Sequence, residues 1–418
     1  MGLRLNVTHT RARPREGIGM KRRISILAVA GATAVVFAAI GSSSASAVST
    51  SASATKKPTK QCSTSLKVLR PHYTNPVPKL AGGSDSLSGA GSTFVNPIMS
   101  IWSSTFAKQG TKVAYQSIGS GGGIAQIQAQ TVDFGATDIA LSDTEAAVAK
   151  GGPILHVPMV LGAVVAVYNV KGLANGLRLD GETLGKIYAG QITKWNDPAI
   201  KAQNSQFALP DQSIAVAHRS DGSGTSAIFT DYLTKTSPSW VSKLGGEATS
   251  RGKTVAWPVG IGGKGNEGVA AVVSQTEGAI GYVELQYAIA QKLTYAFIKN
   301  STGAYIEPCV ATVRAAVDKG VFPADLRTTV TNEPGPLAYP ITGTVYALIY
   351  QNQTDEGKAK AIVNYFSWML TIGQNFPASI NYAPMGSLLQ QKALLQLGKI
   401  QFGGKPVVKF TIPKAKKK

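Results

Sequence analysis

Three short glycine-flanked turns hold the residues best suited to chemistry in this 418-residue chain. They are Gly89-Ala90-Gly91-Ser92-Thr93-Phe94-Val95-Asn96-Pro97, Gly119-Ser120-Gly121-Gly122-Gly123 and Arg219-Ser220-Asp221-Gly222-Ser223-Gly224-Thr225. Apolar residues at helical spacing follow each turn: Ile98, Ile101, Trp102 and Phe106, then Ile124 and Ile127, then Ile228, Phe229, Tyr232 and Leu233. Each turn therefore sets small hydroxyl residues and free backbone N–H groups at a helix start. The first four N–H groups of a helix have no partner within it, and the dipole there is positive. Glycine lets an anion come close to the backbone, and Arg219 adds a planar, permanently charged fork. The chemistry indicated is capture of an oxyanion. A single such turn is an ordinary helix cap, with Ser92 or Thr93 as N-cap and Pro97 in the first turn. The recurrence and the arginine are what point further.

Other chemistries fit less well. None of the three turns has the G-x-G-x-x-G pattern of a dinucleotide site, and no P-loop or G-x-S-x-G elbow is found. His218 lies near Ser220 and Ser223 in the chain, which does not make a triad. The four histidines and two cysteines show no metal-ligand spacing, so neither metal nor cofactor is expected.

The elements that must position these turns alternate. Short β-branched runs at Lys112–Ser117, 162–169, 213–217, 278–283 and 345–350 are interleaved with helical patterns. The helices are expected at 97–108, 124–130, 226–234, 268–275, 358–370 and 386–397. Such alternation predicts α/β layers with helices covering a sheet.

The ends of the chain differ from this body. Lys21-Arg22-Arg23, the apolar run 24–40 and the small residues up to Ala47 form the three parts of a secretory signal, with Met20 as an alternative start. Residues 1–47 read as a signal peptide and 48–84 as a flexible basic linker rich in Ser, Thr, Lys and Pro. An uncleaved anchor is the competing reading of the first segment. Of the formal charge of +20, +6 lies in 1–47, +6 in 48–80 and +4 in 414–418. The 333 residues between carry +4, so the basic balance does not indicate nucleic-acid binding. The expected location is outside the cell or on its surface. In that oxidising setting Cys62 and Cys309 either pair or stay as two thiols.

Seven motifs in order carry a family resemblance. They are 87–94, Tyr115-Gln116-Ser117-Ile118 with the second glycine turn, Val132-Asp133-Phe134-Gly135-Ala136-Thr137-Asp138, Ile192-Thr193-Lys194-Trp195-Asn196-Asp197-Pro198, the third turn with Ser226, Gly278-Ala279-Ile280-Gly281-Tyr282-Val283 and Tyr382-Ala383-Pro384-Met385. Over about 85–400 the chain resembles the phosphate-specific substrate-binding proteins of bacterial ABC transporters, of the periplasmic-binding-protein type 2 class. The resemblance implies a two-lobed α/β fold with the ligand in the cleft, each lobe a mixed, mostly parallel sheet flanked by helices. Lobe I would be 85–166 plus 340–402, lobe II 167–339, and 403–418 a C-terminal extension with a basic tail. Inorganic phosphate and a membrane permease would be the partners of a monomeric, non-enzymatic binder. Matched by motif, Thr93, Phe94, Ser120 and Asp138 would reach the anion from one lobe, and Arg219, Ser223, Gly224 and Thr225 from the other.

The chemistry of these residues agrees with that role. Hydrogen bonds to charged groups contribute roughly 1.5–3 kcal/mol each, and four or five, net of association costs, reach the roughly 8 kcal/mol of micromolar binding. Asp221, two residues after Arg219, would orient its fork; a local turn cap is the plainer alternative. Asp138 would set specificity. A carboxylate accepts but cannot donate, so it takes the proton of phosphate and clashes with sulfate, which has none. Taken without the resemblance, Asp138 reads as a helix cap or a lysine partner. A secreted phosphatase on the same fold and a binder of another oxyanion are the competing functions.

Overall fold

The first glycine turn joins a strand to a helix, as its sequence requires. The computed structural model describes residues 61–62, 79–318 and 320–411. The signal-peptide reading of 1–47, most of the linker and the lysine tail lie outside these residues. β1 (Ser86–Gly91) enters the turn and α1 (Asn96–Phe106) leaves it, with Pro97 in the first turn and Ile98, Met99, Trp102 and Phe106 buried. Neither Ser92 nor Thr93 is the N-cap. Val95 takes that position without a side-chain bond, because the two hydroxyls face other partners described below.

β2 (Lys112–Ser117), α2 (Ser120–Gln128), β3 (Phe134–Thr137) and α3 (Asp143–Ala147) complete the first β/α run and lead to β4 (Ile154–Asn169). The middle of the chain forms β5 (Arg178–Leu179), α4 (Gly181–Tyr188), α5 (Pro198–Lys201), β6 (Ala215–Arg219), α6 (Gly224–Thr236), α7 (Pro238–Lys243) and α8 (Glu247–Ser250). It continues through β7 (Ile261–Gly263), α9 (Gly265–Gln275), β8 (Ala279–Glu284), α10 (Leu285–Ala290), β9 (Thr294–Tyr295), β10 (Phe297–Lys299), β11 (Tyr305–Ile306) and α11 (Val310–Val317). The chain then returns in β12 (Thr342–Tyr350), β13 (Asn352–Gln353), α12 (Glu356–Met369), α13 (Ser387–Leu397), β14 (Gln401–Phe402) and β15 (Lys405–Pro406).

The main sheet runs β2-β1-β3-β12-β4-β8-β6-β7, with β9 also beside β4. β1, β2 and β3 are parallel, as are β6, β7 and β8, while β12 and β4 are antiparallel to their neighbours. β4 decides the architecture. Its residues up to Ala163 pair with β12, and those from Val164 pair with β8. One strand thus serves both lobes. It is longer than the 162–169 read from the sequence, and every residue between its two ends is buried. A strand covered on both faces reads as a continuous apolar run, which periodicity cannot separate from a buried helix. The chain crosses back at Ile341, whose carbonyl accepts from Val164 N at 2.9 Å.

Helices cover the sheets with large apolar side chains. α1 and α12 pack Phe106 against Tyr365 and Trp368, with ring centroids 5.1 and 5.3 Å apart. On the other side Tyr188, Phe229, Trp257 and Tyr282 stack together, Phe229 on Tyr282 at 4.4 Å.

The described parts of the segment 48–84 are tethered. Cys62 is bonded to Cys309, and Gln61 receives Glu307 N at 3.0 Å. Leu80 exchanges two backbone bonds with the Asn364 amide at 2.8 and 2.9 Å. The extension after 402 folds back as β15, antiparallel to β14. No helix among the described residues is long and apolar enough to cross a membrane.

Candidate anion-binding site

Parallel pairing of β1 with β3 sets Gly91 opposite Ala136, so Ser92 and Asp138 leave adjacent strand ends side by side. Ser92 N donates to Ala136 O at 2.9 Å, and Ser92 Oγ donates to Asp138 Oδ1. Ser120, at the start of α2, donates from Oγ to Asp138 Oδ2 at 3.5 Å and accepts from Asp138 N at 3.4 Å. Asp138 is 4 % exposed. Burial pushes its carboxyl up to about 6, against the bonds from Ser92, Ser120 and Thr225 and the charge of Arg219. It neither caps a helix nor pairs with a lysine. Phe94 packs its ring edge-on to Tyr382, and its carbonyl accepts from Tyr382 Oη at 2.6 Å.

The other lobe presents a charged fork and a helix start. Arg219 ends β6 and is buried. Its Nε and Nη2 donate to the two oxygens of Asp221 at 2.7 and 2.5 Å, and Nη1 reaches Thr225 Oγ1 at 3.4 Å. Asp221 also accepts from Gly265 N at 3.0 Å, so it holds the guanidinium plane rather than capping its own turn. Burial works to raise the Asp221 carboxyl, but the bond and charge of Arg219 outweigh it and keep the carboxyl below its usual range. Ser223 is the N-cap of α6, accepting from Ser226 N at 3.0 Å. No described residue accepts from the N–H groups of Gly224 and Thr225, the first two of that helix.

The lobes touch across these residues. Gly121 N donates to Gly222 O at 2.9 Å, and Tyr287 Oη donates to Thr93 O at 2.6 Å. A Cβ at Gly224 would stand 2.5 Å from Ser120 Oγ and 2.6 Å from Asp138 Oδ2, so glycine is what permits this approach. Gly119, at φ +85°, is confined in the same way by the Asp221 carboxylate. At the rim Lys253 Nζ pairs with Glu145 Oε1, while the Lys253 carbonyl accepts from Ser223 N at 3.0 Å. Thr93, Phe94, Ser120, Asp138, Arg219, Ser223, Gly224, Thr225 and Asp221 are thereby brought to one cleft.

Two residues of the cleft were not assigned to the anion site from the sequence. Ser92 was quoted in its motif, but its bond to Asp138 depends on strand register. Asn266 bonds both Thr93 and Thr225. It sits at the head of α9 behind Gly260, Gly262, Gly263 and Gly265, a fourth glycine-rich helix start and the signal that could have marked it. His218 stacks on Trp257 at 5.1 Å and bonds a backbone carbonyl, a structural setting. Among the described residues no group of three or more His, Cys, Asp or Glu is placed to hold a metal ion.

Comparison with known proteins identifies the family. Residues 76–371 match the model of the PBP superfamily domain. The chain is 42 % identical over 303 residues to the phosphate-binding protein PstS of Xylella fastidiosa (strain 9a5c), covering 72 % of this chain and 81 % of that protein. It is 39 % identical over 315 residues to PstS of Pasteurella multocida (strain Pm70), covering 74 % and 89 %. A similar solved structure is that of the high affinity periplasmic phosphate-binding protein PfluDING bound with phosphate. Its TM-score is 0.59 at 20 % identity, with 73 % of this chain and 92 % of that one covered, and it supports the two-lobed fold. With the PBP superfamily domain matched over most of the chain and identities of 42 % and 39 % over most of both relatives, the chain belongs to the PstS-type family of phosphate-binding proteins.

Proposed function

We propose that this protein captures inorganic phosphate between its two lobes and, as an exported solute-binding protein, delivers it to an ABC permease in the membrane. The observation that carries the reading is the setting of Asp138. Its buried carboxylate faces a site of donors, an arrangement that suits an anion still bearing a proton. Thr93, Phe94, Ser120, Arg219, Ser223, Gly224 and Thr225 supply the donors, and Asp221 holds Arg219. The lobes we assign are 85–166 with 340–402 and 167–339, supported by the change of β4 partner after Ala163 and the crossing at Ile341. The protein binds and carries its ligand and does not transform it.

Titration calorimetry on the mature protein tests this reading. Phosphate is expected to bind at micromolar or better affinity and sulfate at least 10⁴-fold more weakly, the discrimination open to a site that hydrogen-bonds a proton its competitor lacks. Equal binding of sulfate would remove the specificity argument. Turnover of p-nitrophenyl phosphate would promote the phosphatase reading.

The rim pair supplies a kinetic prediction. Glu145 and Lys253 stand on opposite lobes, their side chains 30 % and 22 % exposed. Glu145→Gln is expected to speed phosphate release about 3-fold in stopped-flow displacement, the scale of a partly exposed ion pair. The charge swap Glu145→Lys with Lys253→Glu should restore most of the lost residence time. An unchanged release rate in Glu145→Gln would show that the pair does not hold the lobes together.

A further inference from the structure

We infer that Asn266 is a positioning residue that, bonded to a threonine hydroxyl from each lobe, turns that of Thr93 into an obligate donor toward the bound anion. This rests on the phosphate-binding reading of the cleft. A hydroxyl is ambivalent, since it carries one proton and two acceptor sites, and near an anion a proton turned the wrong way is a loss rather than a gain. What fixes the proton of Thr93 and Thr225 is the occupation of their acceptor sites.

The orientation of the Asn266 amide is set by a group that cannot be reversed. Its Oδ1 accepts from the backbone N–H of Glu284 at 2.8 Å. The backbone N–H can only donate, so Nδ2 must be the other end of the amide. That Nδ2 donates to Thr93 Oγ1 at 2.8 Å and to Thr225 Oγ1 at 3.2 Å. The backbone N–H of Asn266 also donates to Thr93 Oγ1, at 3.2 Å.

The two hydroxyls are then fully engaged as acceptors. Thr93 Oγ1 receives two N–H groups, both from Asn266, and Thr225 Oγ1 receives Asn266 Nδ2 and Arg219 Nη1 at 3.4 Å. What remains to each oxygen is its own proton, and the cleft is where it can go. For Thr225 the Asp138 carboxylate takes that proton, so the hydroxyl left to the anion is that of Thr93. Asn266 has no solvent exposure, so water does not compete for these bonds.

Asn266 also makes this arrangement conditional on lobe contact. It and Thr225 belong to the lobe of β6–β8, whereas Thr93 lies between β1 and α1. Only when the lobes meet does Thr93 lose its acceptor freedom. Closure and donor orientation are one event, which raises affinity for an acceptor-rich ligand in the closed form.

A double-mutant cycle reads this coupling, with affinity measured by phosphate titration calorimetry. Thr93→Val removes one hydroxyl and is expected to cost about 30-fold, within the range of a hydrogen bond to a charged group. Asn266→Ala is expected to cost a similar factor of about 30 in the native background but no more than about 5 in the Thr93→Val background. Thr93→Ser, which keeps the hydroxyl, should stay within about 3-fold of the parent and keep the full sensitivity to Asn266→Ala. Asn266→Ser, too short to reach Thr93, serves in the cycle if the alanine variant does not fold as judged by circular dichroism. Equal fold-losses from the Asn266 substitution in both backgrounds would overturn the inference, because a merely structural role multiplies through. Failure of the unsubstituted protein to bind phosphate would instead overturn the functional reading on which the inference rests.

Discussion

Arg219→Ala is expected to weaken phosphate binding by about a thousandfold, with the fold intact. The guanidinium is the cleft's buried cation, and two hydrogen bonds to a charged ligand contribute about 3–6 kcal/mol together. That range corresponds to roughly 10²–10⁴ in affinity. The loss has a second component. Burial raises the Asp138 carboxyl and the charge of Arg219 works against that rise. Without the arginine, Asp138 moves further above 6 and is more often protonated at neutral pH, when its acceptor role is needed. Arg219→Lys is the informative control. A lysine is a point charge and cannot span both oxygens of Asp221 while facing the ligand, so it should recover only part of the loss. Calorimetry measures each variant, and Arg219→Ala binding within tenfold of the parent would sink the assignment.

The second large effect is a change of specificity. Asp138→Asn is expected to weaken phosphate about 100-fold, by loss of a charged acceptor, and to make sulfate binding measurable. The amide offers N–H groups, so it can meet an oxygen with no proton, which the carboxylate cannot. The ratio of phosphate to sulfate affinity should therefore fall by about two to three orders of magnitude. The parent protein should show a related pH dependence. Only the ionised carboxylate rejects sulfate, and its fraction falls as the pH drops through about 6, the value to which burial raises it. Sulfate competition should thus grow below pH 6 in the parent by about tenfold per pH unit and stay flat in Asp138→Asn. Competition titrations between pH 5 and 8 would show this. A parent profile as flat as that of the variant would mean Asp138 is not the discriminating group.

Three glycine turns, their hydroxyls and Arg219 were legible in the sequence because each is local. A helix start is announced by its own residues and the apolar spacing after it. The α2 and α6 starts appear where the glycine turns place them, and α9, α12 and α13 fall within a few residues of their expected positions. The N-cap of α1 was misjudged for a physical reason. A hydroxyl near a helix start caps it unless a stronger partner is within reach, and Ser92 and Thr93 have such partners in Asp138 and Asn266. Those partners lie 46 and 173 positions away in the chain.

The sequence by itself determined the alternation of strand and helix and the donor-rich turns, whereas Asp138 entered the site only through the family resemblance. Tertiary structure alone decided how these meet. A single buried strand, β4, pairs with β12 before Ala163 and with β8 after it, and so joins two sheets into two facing lobes. Once the lobes touch, Glu284 N orients Asn266, Asn266 orients Thr93 and Thr225, and Lys253 reaches Glu145. Hydrogen-bond direction depends on which acceptor sites are already filled. That occupancy is a property of neighbours brought together across the fold, and no spacing along the chain encodes it.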